Sequence, residues 1–375
     1  EYYYGKVSKK MKAVYIHIPF CLNICSYCDF CKMYYNSNIV HSYLEELEKE
    51  INKYYRNEKI ETLYIGGGTP SCLSINELKK LFKIIKKFNI NDNIEFTFEC
   101  NIESIDKEKI EFLYQNGVNR LSIGIETFNN KYLSFLERKH TKEEIKEKIK
   151  CAKEIGFKNI NIDLIYGLPN QTIDELKLDL ENYLKLDIPH ISIYSLIIEP
   201  HTKLYINKTK NVDEDLDYEM YLLIKEFLEK NNYYQYEISN YCKEGYESKH
   251  NLTYWDNLEY YGFGLGASGY IDNIRYDNTR SINRYLSGDY RLNEEIIDEE
   301  LRLENEFILG FRKIKGINKK EFYDKYKREI TEFKIVKELI KEGKLVDDGK
   351  NIFISDKYIY LSNEILVNFV GDIIE

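Results

Sequence analysis

The sequence predicts an α/β fold built on a parallel sheet, with a smaller α+β region at the C-terminal end. Three observations carry this. Short β-rich runs alternate with longer amphipathic helical segments over about half of the 375 residues. The alternation repeats as six βα units in order, and parallel strands need such crossover helices. After about residue 205 the pattern breaks, and from about 298 the chain becomes charged and helical. A full or partial barrel and an open doubly wound sheet both satisfy the alternation, and in either the loops after the strands' C-terminal ends form the site.

The elements follow in order. KAVYIHI (12–18) reads as a strand, VHSYLEELEKEINKYYRN (40–57) as a helix and IETLYIGGG (60–68) as the next strand. SINELKKLFKIIKKF is a helix and IEFTFEC (94–100) a strand. The helix SIDKEKIEFLYQNG is expected to open at Ser104, with Glu108 in its first turns, and to close at Gly117. RLSIGIE (120–126) is a strand, TKEEIKEKIKCAKEIG a helix, INIDLIYG (160–167) a strand, TIDELKLDLENYLKL a helix, and HISIYSLII (190–198) the sixth strand. An acidic helix (213–230) then leads to YYQYEISNY and a long loop. The stretch FKIVKELIKEGKLVDDGKNIFISDKYIYLS reads as a helix followed by a β-wing. Domains are accordingly expected at 12–205, at 206–297 as an extension of the sheet region, and at 298–375.

Composition narrows the classes of function. At 43% hydrophobic the chain can bury a substantial core. A formal net charge of -9 argues against a dedicated nucleic-acid or anionic-membrane surface, while leaving room for a local basic pocket. No run approaches a membrane span and no secretion signal opens the chain, so the expectation is a cytoplasmic protein without an integral membrane segment. Met11 reads as a start site, and the Tyr-rich EYYYGKVSKK before it is given no role. The 35 tyrosines are spread along the chain and mark no site.

Four of the eight cysteines fall within Cys21–Cys31, directly after the first strand. Cys21, Cys25 and Cys28 form C-x3-C-x2-C in a loop that follows Pro19, whose ring pushes the preceding residue toward extended backbone. Three thiolates suit a 4Fe-4S cluster with one iron left open for a ligand. Zinc is the competing reading, and it would need Cys31 to complete one tight loop. Disulfides fit poorly with a chain lacking a secretion signal. Cys72, Cys100, Cys151 and Cys242 are isolated and read as small buried hydrophobes.

With Tyr27 just before its third cysteine, this motif resembles the radical S-adenosylmethionine (SAM) superfamily. The phrases YIHIPFC, YIGGGTPS, NRLSIGIETF, DLIYGLPNQT, YEISNY and HNLTYW are similar to those of the branch containing oxygen-independent coproporphyrinogen III oxidases and HemW-type heme chaperones. The resemblance runs from about residue 12 to 315. It implies a partial (β/α)6 TIM-like barrel of the radical SAM type with a winged-helix-like C-terminal domain. It also implies a 4Fe-4S cluster on Cys21, Cys25 and Cys28, with SAM on the open iron. Reductive cleavage of SAM would then give methionine and a 5'-deoxyadenosyl radical.

Glycines at a strand end let backbone amides approach a ligand, although GGG at 66–68 also reads as a simple turn. The resemblance makes Gly67, Gly68 and Thr69 contacts for the amino end of SAM. Glu99, Arg138 and Asp163 carry over as SAM-binding positions, the carboxylates suited to ribose hydroxyls or ammonium and the arginine to the carboxylate. Tyr15 and Tyr27 carry over as neighbours of the same site. Glu126 stands where the family commonly has Gln, replacing an amide donor with an acceptor-only group, and Asn101-Ile102 stands where the family commonly has Asn-Pro.

A lone histidine is more often a structural hydrogen-bonder than a ligand, and Tyr254 and Trp255 would by default be core aromatics. The resemblance gives HNLTYW (250–255) to the heme-chaperone branch, with His250 as a heme-binding residue. The oxidase branch carries a cysteine two places after the third and a longer segment before the cluster; here position 30 is Phe30 and twenty residues precede Cys21. The expectation is therefore a heme chaperone that takes heme as cargo, delivers it to acceptor heme proteins and draws on an electron donor. The alternative is a coproporphyrinogen III oxidase. Cys31 fits neither branch: a spare thiol, a second-site ligand and a neighbour of the cluster are all open. Oligomeric state is not readable from the sequence.

Overall fold

The strand β1 (Lys12–Ile18) is largely buried on both faces, the pattern of a parallel strand covered on two sides. It is the first of six parallel strands in the computed structural model, which describes residues 12–371; Met11 and the segment before it lie outside the described residues. The others are β2 (Lys59–Gly67), β3 (Asn89–Asn101), β4 (Arg120–Glu126), β5 (Asn159–Tyr166) and β6 (His190–Ser195). They pair in sequence order, and the register aligns their C-terminal ends. Ile18 lies opposite Gly67, Asn101 opposite Gly124, and Gly124 opposite Asp163. Residues far apart in the chain thereby share one rim.

The crossover helices are Ser37–Tyr54, Ile75–Ile85, Lys107–Gln115, Lys142–Ile155, Ile173–Leu184 and Glu214–Lys230. Three begin with a reciprocal capping box, Ser74 with Glu77, Thr141 with Glu144 and Thr172 with Glu175. The third helix corrects an expectation. Asp106, not Ser104, is its cap, accepting from the Lys109 N–H at 2.9 Å, because residues Ile102–Ser104 form a separate 3-10 turn. The sixth strand also stops at Ser195, short of the expected 198.

Residues beyond the sixth strand extend the sheet at both edges. β7 (Tyr234–Glu237) and β8 (Asn240–Cys242) form a hairpin whose second strand, β8, pairs antiparallel with β6. β9 (Tyr260–Phe263) runs parallel beside β1, and β10 (Ser268–Ile271), β11 (Ile274–Asn278) and β12 (Arg291–Ile296) continue as an antiparallel meander. The order β12-β11-β10-β9-β1-β2-β3-β4-β5-β6-β8-β7 has two free ends among the described residues, so the barrel is partial.

The fully buried Glu50 ties the first crossover helix to this meander. It accepts from the Gly264 N–H at 2.8 Å, Asn278 Nδ2 at 2.6 Å and the Tyr285 hydroxyl at 2.6 Å, which satisfies the buried carboxylate. A separate apolar core around Phe307, Phe311, Phe333 and Phe369 serves the C-terminal region. There β13 (Ile317–Asn318), β14 (Leu345–Asp347) and β15 (Asn351–Ile354) form an antiparallel sheet, in the order β13-β15-β14, among short helices.

Candidate functional site

The loop after β1 is shaped by its own backbone. Phe20 and Cys21 pair with Met33 and Tyr34, and the N–H groups of Met33 and Tyr35 donate to the carbonyls of Pro19 and Cys21 at 2.8 and 2.9 Å. This closes residues 21–33 into a loop over the rim. Its three motif thiols are free and line one cavity of about 140 Å³ together with Tyr27, Gly67, Gly68, Thr69, Glu99, Glu126, Arg138 and Asp163. Among the described residues no group of three or more Cys, His, Asp or Glu is placed to hold a single metal ion. The three thiols share the lining of this cavity with the glycines and charged groups of the strand ends.

Glycine is required where β2 meets this loop. A Cβ on Gly68 would lie 2.9 Å from Cys21 Sγ and 2.8 Å from the Pro19 carbonyl carbon, and Gly67 adopts φ +122°, where a Cβ would meet the His17 ring at 2.8 Å. The Gly68 and Thr69 N–H groups donate to the carbonyls of Ile18 and Phe20, both at 2.8 Å, and the Thr69 hydroxyl lies 3.5 Å from Cys21 Sγ.

The charged groups lie along the rim. Glu99 accepts from the Gly67 N–H at 2.9 Å and the Tyr64 hydroxyl at 2.7 Å, and burial pushes its carboxyl up to about 7. Glu126 sits at a bulge in the β4–β5 pairing with φ +65°, a strained conformation for a non-glycine residue. Burial pushes it too up to about 7, against the opposing pull of Arg138. Arg138 donates to the Gly124 carbonyl at 2.6 Å, and lies 3.3 Å from Glu103, 4.0 Å from Glu126 and 3.7 Å from Cys25 Sγ. Its buried Nε has no partner. Asp163 accepts from Asn161 Nδ2 at 2.8 Å, and burial raises its pKa.

Burial likewise pushes the Cys21 thiol up to about 11 and raises Cys25 and Cys28. Arg138 opposes this at Cys25 and Lys32 at Cys28. Three free thiols on one cavity, a glycine cradle beside one of them and an orphaned guanidinium nitrogen together fit a cluster with an amino-acid-bearing ligand.

Tyr15 and His250 stand outside this cavity. The Tyr15 hydroxyl lies 3.0 Å from His17 Nδ1, and the ring lines a second, larger cavity. His250 is buried at the start of the helix Lys249–Trp255, with Nδ1 2.8 Å from the Thr62 hydroxyl and Nε2 2.8 Å from the Tyr254 hydroxyl. Burial lowers its pKa to about 3. Both ring nitrogens are engaged, so His250 stands here as a core hydrogen-bonder. The second cavity, about 590 Å³, is also lined by Cys31, Tyr254, Trp255, Arg275, Arg280 and Asn305, and Phe30 borders both cavities.

Sequence reasoning missed Asn101, whose Nδ2 donates to the Thr69 hydroxyl at 3.0 Å. It also missed Arg275, Arg280 and Asn305. Asn101 had a signal, being the last residue of a strand whose neighbours had been singled out; the other three had none.

The family model for the radical SAM superfamily matches residues 15–182. Heme chaperone HemW of Lactococcus lactis subsp. lactis is 40% identical, with 97% of this chain and 98% of that protein covered. Heme chaperone HemW of Bacillus subtilis is 39% identical, with 97% of this chain and 100% of that protein covered. Among solved structures, coproporphyrinogen III oxidase (HemN) from Escherichia coli, a radical SAM enzyme, matches with a TM-score of 0.85 at 21% identity over 97% of this chain and 91% of that one. The fold described above is therefore the radical SAM partial barrel with a C-terminal domain.

Proposed function

This chain belongs to the HemW heme chaperone family of radical SAM proteins, and from that membership we propose that it binds heme and hands it to acceptor heme proteins. The observation that carries the proposal is the 40% identity to a heme chaperone across nearly the full length of both chains. Phe30, at the place where the oxidase branch carries a cysteine, supports the same reading.

The family implies a 4Fe-4S cluster and SAM. In this reading Cys21, Cys25 and Cys28 hold the cluster. Gly67, Gly68 and Thr69 offer backbone and hydroxyl groups to the amino end of SAM, and Arg138 faces its carboxylate. Glu99 and Asp163 accept from hydroxyls or the ammonium, and Tyr27 covers one side. When bound, the cluster and SAM supply one-electron reductive cleavage of a C–S bond, with the electron coming from an external donor. Glu126 accepts where the family's amide would donate, with burial raising its carboxyl and Arg138 beside it pulling it back down.

Hemin titration of the purified protein tests this reading. The expected result is a saturable shift of the Soret band near one heme per chain, followed by transfer to an apo-globin. No shift would overturn it. Loss of carboxylates from coproporphyrinogen III on anaerobic incubation with SAM and a reductant would replace it with the oxidase reading.

A further inference from the structure

We infer that heme docks in the larger cavity with the Cys31 thiolate as its axial ligand and with Arg275 and Arg280 facing its propionates. The inference rests on the heme-chaperone reading and adds the place and the ligand.

The cavity's chemistry selects a flat dianion. Its volume, about 590 Å³, lies within the usual range of ligand sites. Tyr254 and Trp255 present aromatic surface, as do Tyr260 and Tyr270. Two arginines line it against one carboxylate, Asp29. Arg280 donates to the Asp29 backbone carbonyl at 2.9 Å and Arg275 lies over the Tyr270 ring at 5.9 Å, yet neither makes an ion pair among the described residues. In a chain of net charge -9, two such guanidiniums on one cavity favour paired carboxylates. Asn305 is only 9% exposed, and its Nδ2 has no partner; Trp255 Nε1 is likewise buried without one. These two donors lie beneath the wall without a protein acceptor among the described residues.

Of the side chains in or beside the cavity able to ligate iron, Cys31 is the one thiol, with the Arg280 guanidinium beside it; Asp29, Tyr260 and Tyr270 are the oxygen donors that also line the wall. His17 has Nε2 2.7 Å from the Cys31 carbonyl and Nδ1 3.0 Å from the Tyr15 hydroxyl. His250 is committed to Thr62 and Tyr254. The Tyr15 and Tyr254 hydroxyls are held by these same histidines, and burial raises both phenols well above their ordinary value. Space for the sulfur is built in: Gly266 has φ +71°, and a Cβ there would fall 2.6 Å from Cys31 Cβ and 2.9 Å from its Sγ. Burial raises the Cys31 thiol, and the neighbouring Arg280 pulls it back down. Ligation forms an Fe(III)–S bond as the thiol proton leaves to solvent, and no electron moves.

The test titrates hemin into the reconstituted full chain and reads absorbance and paramagnetic resonance of the bound ferric heme. Wild type is expected to show thiolate ligation. C31S should keep heme but lose that signature. R275Q/R280Q should weaken hemin binding at least tenfold while leaving the dimethyl ester of hemin little changed. H250Q should retain the thiolate spectrum. A C31S spectrum identical to wild type, or a thiolate-free wild type whose heme signal vanishes in H250Q, would overturn the assignment and leave the chaperone reading intact. A wild type that takes up no heme would overturn both.

Discussion

The two cavities bordered by Phe30 differ in how they are made. The smaller gathers groups from the ends of consecutive parallel strands, whose register places Gly67, Asn101, Gly124 and Asp163 along one rim. Its members are tightly constrained: glycines where no Cβ fits, Glu99 held by two donors, Arg138 among four partners. The larger is assembled from β1, the cysteine loop, the helix before β9, the meander β9–β11 and a C-terminal helix. It keeps unpaired arginines and unmet donors. Apart from the Arg138 Nε, the groups around the small cavity hold one another in place, which suits a resident cofactor, whereas guanidiniums without ion pairs around a roomy one suit cargo that must leave.

The largest effect expected is on the small cavity alone. Cys25→Ser should lower reconstituted iron from about four per chain toward zero, measured by iron and sulfide analysis, with hemin uptake retained. Arg138→Met comes next: it strips the charge from between Glu103 and Glu126 and should cost roughly 3–5 kcal/mol in urea unfolding, with Arg138→Lys losing less. Gly266→Ala acts on the other side. Its strained φ and the displaced Cys31 should weaken hemin binding by about tenfold, while iron content stays at the wild-type level. If iron falls as well, the two cavities are not separable.

The last effect, read as a slope against pH, concerns His250. Its ring remains neutral in the folded chain down to about pH 3, while the unfolded chain takes up a proton near the ordinary value of 6.5. Stability is therefore lost as pH falls from about 6.5, by roughly 1.4 kcal/mol per pH unit for this one group. His250→Gln should flatten the pH dependence of stability between pH 6 and 4 by one proton. Glu99, whose raised pKa acts with the opposite sign, is common to both proteins and drops out of the difference.

This contrast also explains what the sequence made legible. Strand alternation and a run of cysteines after a strand are local patterns, and a parallel sheet converts strand ends into neighbours. Cys21, Cys25, Cys28, Gly67, Gly68, Thr69, Glu99, Glu126, Arg138 and Asp163 were accessible for that reason. Arg275 and Arg280 come together with Cys31 only because β9 pairs beside β1 across more than 240 residues of chain, a pairing with no local signature. Ser104 misled as a helix cap because its segment forms a separate turn. His250 shows how a phrase can mark a branch without fixing a role: its ring is hydrogen-bonded to Thr62 and Tyr254.

The claim of separate occupants is tested most directly by titrating hemin into one preparation before and after anaerobic reconstitution of the cluster, then adding SAM to the reduced protein. The account predicts hemin affinity equal within about threefold in the two states, and a cluster resonance that responds to SAM whether or not heme is bound. Heme uptake that disappears once iron fills the cysteine site, or a SAM response abolished by heme, would place both ligands in one cavity and contradict it.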